Sequence, residues 1–449
     1  MFEIRNVSLK AFALSLMTLV GMLALSATAQ SQTLPFIDKD IHMGVATCAG
    51  STCHGAVEPL KGVSVLQNEF ITWQRNDQHA KAYQVLLSER SKRIARNLGL
   101  KSAETAPLCL DCHADNVPIE RRHRTFQISD GVTCEACHGG AGRWIGTHIS
   151  AAATHQVNID NGLYPSADPI SRAKLCLSCH FGDETRFVSH RIMGAGHPRM
   201  SFELDTFTAI QPAHFVADAD YRKRKGSWNG VQVWAIGQAM SLDILLDALV
   251  DPDRGRDGIF PELVLFDCYS CHHRMSKLRW EPRDSVGLGP GIPRISDANM
   301  LMLRVIANRV DQALGSEFSE RSVALHKSTR ASTYGEMIDA ANALRKVLGK
   351  LMNKFADHKF TKADNQALLA GIIESGLAGE YQDYPGAEQA TMALSSIIEA
   401  MRQSGDIDSG QLEALNAALE MAYAALAKHE EYNSAVFMEV LTQFKTAAP

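Results

Sequence analysis

The stretch Cys134-Glu135-Ala136-Cys137-His138 has a spacing of cysteine and histidine that returns along the chain. The same Cys-x-x-Cys-His pattern stands at 109–113, 176–180 and 268–272. A further copy at 48–54 has four residues between its cysteines instead of two. Together these motifs use all ten cysteines of the 449-residue chain. Because none is left over, one chemistry accounts for every cysteine.

This spacing is typical of covalent haem attachment. Two thiols add to the vinyl groups of one haem, and the histidine that follows becomes the proximal ligand of its iron. Zinc sites also use Cys-x-x-Cys, but they do not need a histidine directly after each pair, and a disulfide framework needs none either. We therefore predict five haem c groups. The predicted attachment residues are Cys48, Cys53, Cys109, Cys112, Cys134, Cys137, Cys176, Cys179, Cys268 and Cys271. The predicted proximal ligands are His54, His113, His138, His180 and His272.

The N-terminus has the pattern of a cleavable signal peptide. Arg5 and Lys10 precede an apolar run over 11–25, and the small residues 27–29 read Ala-Thr-Ala. We predict that residues 1–29 are removed on export and that the mature protein is periplasmic; an uncleaved anchor is the alternative. The most apolar later stretch, 231–250, contains two glutamines and two aspartates and predicts a buried helix, so no transmembrane segment is expected after cleavage.

The net charge favours redox proteins as partners, but it does not identify the donor or the acceptor. The net charge is −5, and it becomes −6 without residues 1–29 because Arg5 and Lys10 leave with only Glu3. An acidic surface argues against nucleic acid and favours basic partners. The basic run 222–225 is the local exception. It fits a solvated loop, a docking site for an acidic partner, or a counter-charge for haem propionates.

The predicted fold is mainly α, with four parts. A signal peptide (1–29) precedes a pentahaem domain (30–281), in which short helices and loops surround stacked haems. A linker rich in proline and glycine (282–294) then leads to an α-helical domain (295–449). Leucines and other apolar residues recur there at helical spacing and predict a small bundle of five or six helices. One predicted helix runs from a cap at Ser296 or Asp297 to a stop at Gly315. The histidines of this domain, His326, His358 and His429, are expected at the surface.

The sixth ligand of each iron separates two functions. A second histidine leaves an iron that only passes electrons, whereas an open position lets a small molecule bind. The segment 189–199 combines histidines with glycine and proline, as a ligand-bearing loop would, and another histidine follows nearby. Its candidate ligands are His190, His197 and His214, with His42 as a further candidate; hydrogen bonds to propionates or to the backbone are the alternative. Met193 and Met200 fit packing better than ligation.

The order of several segments resembles the tetrahaem cytochrome c-554 family of ammonia oxidisers. These segments are Asp77-Gln78-His79-Ala80-Lys81-Ala82, then Gly131-Val132-Thr133-Cys134 with the rest of that motif and Gly139-Gly140, and then Gly146-Thr147-His148. The similarity extends over about residues 45–215. It implies a carrier of electrons from hydroxylamine oxidoreductase. It also implies that His79 and His148 are distal ligands and that the haem on Cys109 and Cys112 has an open distal face.

The chain departs from that family in its longer first motif, its fifth haem motif and its C-terminal helical region. Two functions stay open. The first is a periplasmic carrier that transfers electrons between redox partners through five haems. The alternative is a multihaem oxidoreductase that acts on nitric oxide, nitrite, hydroxylamine or a sulfur compound at an open haem. No motif ends in lysine, which argues against one type of nitrite-reducing site. The helical region is also a candidate docking module for a larger complex.

Overall fold

A computed structural model describes residues 33–63, 65–150, 152–227, 229–258, 260–272, 283, 285–289, 292–330 and 333–449. The predicted signal peptide lies outside the described residues, as do four of the thirteen residues of the predicted linker. Helices dominate the described parts of the chain. Strands are limited there to the short antiparallel pair β1 (Arg256–Asp257) and β2 (Phe260–Pro261). The prediction of a mainly α fold is therefore confirmed.

The segment that carries the haem motifs is built from short helices joined by loops. Its α-helices are α1 Val45–Cys48, α2 Glu69–Asn76, α3 Ala82–Leu86, α4 Glu89–Leu98, α5 Pro107–His113, α6 Cys134–His138, α7 Ile145–His148, α8 His155–Asp160, α9 Pro169–His180, α10 His190–Gly194, α11 Leu204–Ile210, α12 Ala219–Lys225 and α13 Gly230–Val250. Single 3₁₀ turns stand at Gln78–Lys81, Ala103–Thr105, Ile119–Arg121, Ile128–Asp130, Leu263–Leu265 and Cys268–Ser270.

Local chemistry explains where these helices begin and end. The Ser88 side chain accepts the backbone N–H of Ser91 at the start of α4, and Gly99 in the left-handed conformation ends it. Asp168 caps α9 in the same way, with a proline in the first turn. The basic run 222–225 belongs to α12, a short helix that Asp218 caps, and is therefore not a loop.

The C-terminal region contains seven α-helices among its described residues. They are α14 Ala298–Val310, α15 Gln312–Ser328, α16 Tyr334–Asp357, α17 Lys362–Leu377, α18 Tyr384–Ser404, α19 Ser409–Ala425 and α20 Ser434–Ala447. The prediction that the first of these helices ends at Gly315 was wrong, because α14 ends at Val310. Asp311 caps a new helix there by accepting the N–H of Leu314. A Cβ on Gly315 would lie 2.7 Å from the backbone nitrogen of Asn308, so this glycine permits close helix packing.

A single hydrophobic core joins the haem segment to the C-terminal helices. Residues 34–449 form one compact unit. The core runs from Leu177 on α9 and Leu204 on α11, through nearly all of α13, to Phe444 on α20. The helix α13 is long and apolar enough to cross a membrane, but most of it is buried within the protein. The helix α13 precedes the predicted linker at 282–294, and its apolar partners include helices that follow that linker.

Candidate haem sites

Helix geometry orients three of the attachment motifs. Each of α5, α6 and α9 ends on the histidine of its motif. On a helix, residues three and four positions apart share one face, so both thiols and the following imidazole point toward the same space. The first motif begins at the end of α1, and the fifth occupies a 3₁₀ turn and the two residues after it. All ten cysteines are free thiols, as haem attachment requires.

Each predicted proximal histidine faces the ring of a second histidine. The centres of the paired rings are 5.9 Å apart for His54 and His148, 6.5 Å for His113 and His197, 6.2 Å for His138 and His214, 6.1 Å for His180 and His79, and 6.1 Å for His272 and His190. The five partners are the five predicted distal ligands. The structure thus brings all ten predicted iron ligands together in pairs.

These spacings fit one iron between two opposed imidazoles. A metal–nitrogen bond of about 2 Å on each side, plus about 1.2 Å from each nitrogen to its ring centre, separates the centres by roughly 6.3 Å. A tetrahedral zinc ion would bring the centres of two imidazoles to roughly 5.2 Å. The observed range of 5.9–6.5 Å agrees with the opposed arrangement. The residues therefore fit haem c, and when bound it supplies a reversible one-electron change at its iron.

Hydrogen bonds at Nδ1 fix the orientation of several of these imidazoles. His54 Nδ1 lies 2.9 Å from Glu69 Oε2, and His79 Nδ1 lies 2.8 Å from Asp77 Oδ1. Nδ1 of His113 and of His197 bond to backbone carbonyls, at 3.2 and 2.8 Å. A histidine that binds a metal commonly donates its second N–H in this way. The arrangement leaves Nε2 of each ring for iron.

Burial keeps other predicted histidine ligands in their neutral form, and the neutral imidazole is the form that binds iron. Burial, with a smaller contribution from His214, lowers the pKa of His138 to about 3. Burial and then His79 lower the pKa of His180 to about 4. In contrast, the hydrogen bond to Glu69 raises the pKa of His54. Burial raises the pKa of Asp77, but hydrogen bonds from His79 and Gln211 outweigh it and lower that pKa to about 2.

The motifs lie close enough to one another for their haems to be neighbours. The Cys48 side chain is in hydrogen-bond contact with that of Cys134, which joins the first and third motifs. The side chains of Cys112 and Cys179 make the same contact between the second and fourth motifs. The fourth motif also lies beside the third, because Cys137 is in electrostatic contact with both of its cysteines.

Shared contacts also hold distal ligands of neighbouring sites. Asp77 bonds His79 through one oxygen and accepts Gln211 Nε2 at 3.0 Å through the other. Gln211 precedes His214 by three residues, so this carboxylate links the distal sides of the third and fourth haem sites. The backbone of His79 is held as well, since its carbonyl accepts the N–H of Val132 at 3.1 Å. Neither Asp77 nor Glu69 was predicted from the sequence as a ligand support.

The C-terminal region forms part of the surroundings of the fourth and fifth motifs. One cavity is lined by His180 and Cys268 together with Pro385 and Glu388 of α18. The Phe202 ring stacks on the His180 ring with centres 4.5 Å apart. The backbone carbonyl of Phe202 accepts Gln389 Nε2 of α18 at 3.2 Å. These contacts make α18 a wall of the haem region.

Several other residues considered in the sequence analysis take no part in the five ring pairs. His42 is fully buried and its Nδ1 lies 2.9 Å from Asp115 Oδ2, and its ring has no contact with any of the five proximal histidines. Met193 and Met200 line the cavity beside His180 and pair with no motif. His326 is 2% exposed, so the prediction of a surface position was wrong for it. Its Nδ1 bonds the Ser322 carbonyl at 2.9 Å, and burial lowers its pKa.

A second histidine lies at the haem site that the resemblance implied to be open. An open distal face was expected on the haem of Cys109 and Cys112. The structure instead places His197 opposite His113. The segment 189–199 that brings this histidine is none of the segments that carry the resemblance, so the family pattern gave no sign of His197 at this site.

Comparison with known proteins gives one match. Residues 47–139 match the family model described as cytochrome c554 and c-prime. This range contains the first three motifs and less than half of the chain. No curated protein and no solved structure matches the chain. The resemblance to the cytochrome c554 family is thus confirmed over these residues. The match supports a multihaem c-type cytochrome in electron transfer, with covalently bound haem c.

Proposed function

We propose that this protein is a periplasmic electron carrier with five haem c groups, each held between two histidines. The observation that supports this most strongly is the set of five ring pairs, each with one histidine from an attachment motif. An iron with two strong ligands has no position for a substrate, so its chemistry is restricted to electron transfer. The alternative, an oxidoreductase for small nitrogen or sulfur compounds, requires an open iron.

The contacts between motifs support a continuous route for electrons. The first and third motifs touch, the third lies beside the fourth, and the fourth touches the second. The fifth reaches the fourth through the cavity that His180 and Cys268 share. Each haem then has a neighbour, so an electron that enters at one end can leave at another. Redox proteins are the proposed donor and acceptor.

The location is proposed from the first 29 residues. A basic start, a short apolar run and the Ala-Thr-Ala sequence have the pattern of an export signal. Haem c is attached to exported proteins in bacteria, so the periplasm suits the predicted cofactor. Mass spectrometry of the mature protein would test this, because cleavage after Ala29 gives a chain that begins at Gln30.

Haem counting followed by EPR tests the function. A pyridine haemochrome assay is expected to give five haems per chain, and the ferric EPR spectrum is expected to contain only low-spin signals. Bis-histidine ligation also favours lower potentials than histidine–methionine ligation, so redox titration is expected to find low potentials. A stoichiometric high-spin signal in the native protein would contradict the carrier and support the oxidoreductase. Five strongly oxidising haems would contradict the proposed ligation.

A further inference from the structure

One short segment carries the distal histidines of two different haem sites. The helix α10 begins at His190, whose ring lies 6.1 Å from that of His272 in the fifth motif. Seven positions later His197 lies 6.5 Å from His113 in the second motif. We call residues 190–197 the distal strap. The strap therefore links the second haem site to the fifth.

The strap is fastened at its His190 end by a buried carboxylate. Glu262 is 4% exposed, and its Oε1 accepts the backbone N–H of His190 at 2.8 Å. Ser189 caps α10 by accepting the N–H of Ile192. The backbone of His190 is therefore fixed by contacts at the start of its own helix.

The His197 end is fastened by the helix α4. Arg90 donates from Nε and Nη2 to the carbonyl of Gly196, at 3.1 and 2.9 Å. Two helical turns further along the same face, Asn97 Nδ2 donates to the carbonyl of Ala195 at 3.0 Å. The buried Ile94 lies between them on the same helix, and a Cβ on Gly196 would lie 3.4 Å from it. Two successive carbonyls before His197 are thus held against α4.

The His197 side chain itself has only a local anchor. Its Nδ1 bonds the carbonyl of the next residue, Pro198, at 2.8 Å. Gly196 has a φ of +119°, a conformation that suits glycine, so the chain turns sharply just before the ligand. The direction of the imidazole therefore depends on the backbone of 195–196, and that backbone is held by Arg90 and Asn97.

We propose that Arg90 and Asn97 are positioning residues that keep His197 on the second haem and so close an iron that would otherwise be open. This inference rests on the proposed function, since it takes His113 and His197 as the two ligands of one haem. Both positioning residues are exposed on α4, so their removal leaves the hydrophobic core intact. Their loss is expected to change the ligation of one haem without changing the number of haems.

The test compares the double variant Arg90→Ala/Asn97→Ala with the native holoprotein. We expect five haems in both, purely low-spin EPR in the native protein, and a high-spin signal from up to one haem per chain in the variant. The reduced variant is expected to bind up to one carbon monoxide per chain, whereas the native protein binds none. Arg93→Ala is the matched control, because Arg93 is exposed on the same helix. Arg90→Lys combined with Asn97→Ala should restore part of the low-spin signal, since lysine can still donate a hydrogen bond to the Gly196 carbonyl.

Two outcomes separate this inference from the proposed function. A double variant that stays fully low-spin and inert to carbon monoxide would overturn the positioning role, and five bis-histidine haems would still stand. His197→Ala is the reference for a lost ligand and is expected to open one whole haem. If His197→Ala opens none, its pairing with His113 is wrong, and the bis-histidine assignment of the second haem falls with it.

Discussion

The imidazole ring of His113 lies 6.5 Å from that of His197, and the two ring planes are inclined by 78°. His113 follows the attachment cysteines of the second motif, whereas His197 lies in a loop that is C-terminal to the fourth motif. With a haem between the two rings, this pairing would close the site that the family resemblance implied to be open. It is also the contact that most directly favours a carrier over an enzyme.

Loss of a distal histidine should open one haem. We predict that His214→Ala converts the third haem, whose proximal ligand is His138, from low-spin to high-spin, because no second nitrogen then opposes His138. Ferric EPR of the purified holoprotein measures this change. His155→Ala is the control, because the His155 ring pairs with none of the proximal histidines. Equal spectra for the two variants would contradict the assignment of His214.

A side chain at Gly131 should disturb the fourth haem. Gly131 has a φ of +81°, and a Cβ there would lie 2.7 Å from the backbone oxygen of His79. Gly131→Ala is therefore expected to cost about 1–3 kcal/mol and to displace His79 from its position opposite His180. Urea unfolding and EPR measure the two effects. Gly146→Ala, where a Cβ meets no atom within 4 Å, should leave the EPR spectrum unchanged and should not lower the free energy of unfolding.

Glu203 should make stability depend on pH. Burial, with a smaller contribution from Asp205, raises its pKa to about 7. A carboxyl group with a raised folded pKa stabilises fully below its unfolded pKa, near 4.5, and less as pH rises through 7. The expected loss between these pH values is about 3 kcal/mol.

The measurement is the free energy of unfolding at pH 4.5 and pH 7.5 in the native protein and in Glu203→Gln. The amide cannot ionise, so the variant should lack this part of the decrease. Identical decreases in the two proteins would show that Glu203 does not ionise in this interval.

A buried ionic cluster should contribute strongly to stability. Arg283 Nη1 lies 2.7 Å from Asp297 Oδ2 and also bonds Asp383, and all three side chains are nearly inaccessible. Arg283→Met leaves two buried carboxylates without this partner and should cost about 3–5 kcal/mol. Arg402→Met breaks an exposed pair with Glu399 and should cost less than about 1 kcal/mol. Comparable losses in urea unfolding would contradict the role of burial.

Removal of the C-terminal helices should damage the haem segment. A variant that ends at Arg283 exposes the apolar faces of α13, including Trp234, Leu242 and Leu246, which are fully buried in the whole protein. We expect aggregation or rapid proteolysis of this variant, measured as its soluble fraction beside that of the full chain. A soluble truncated protein with five haems would instead support a separate docking module.

The sequence by itself determined the chemistry of attachment. Thioether formation needs two cysteines and a histidine within a few residues of one another, so the signal is local and every motif was visible. Helical periodicity was equally local, and it predicted a helical C-terminal region because helices such as α16 and α19 each bury one face. The histidine-rich segment 189–199 indicated that it carries iron ligands, but it did not indicate which haem each histidine would bind.

Only the tertiary structure decided which histidines face each other. The paired rings come from segments far apart in the chain, and their approach depends on packing that no short pattern contains. For the same reason, the sequence did not reveal that Glu69 and Asp77 support ligands, or that α4 donates hydrogen bonds to the distal strap. The partners of α13 were hidden for the same reason: this mostly apolar helix packs against helices from the other end of the chain, which only the tertiary structure shows.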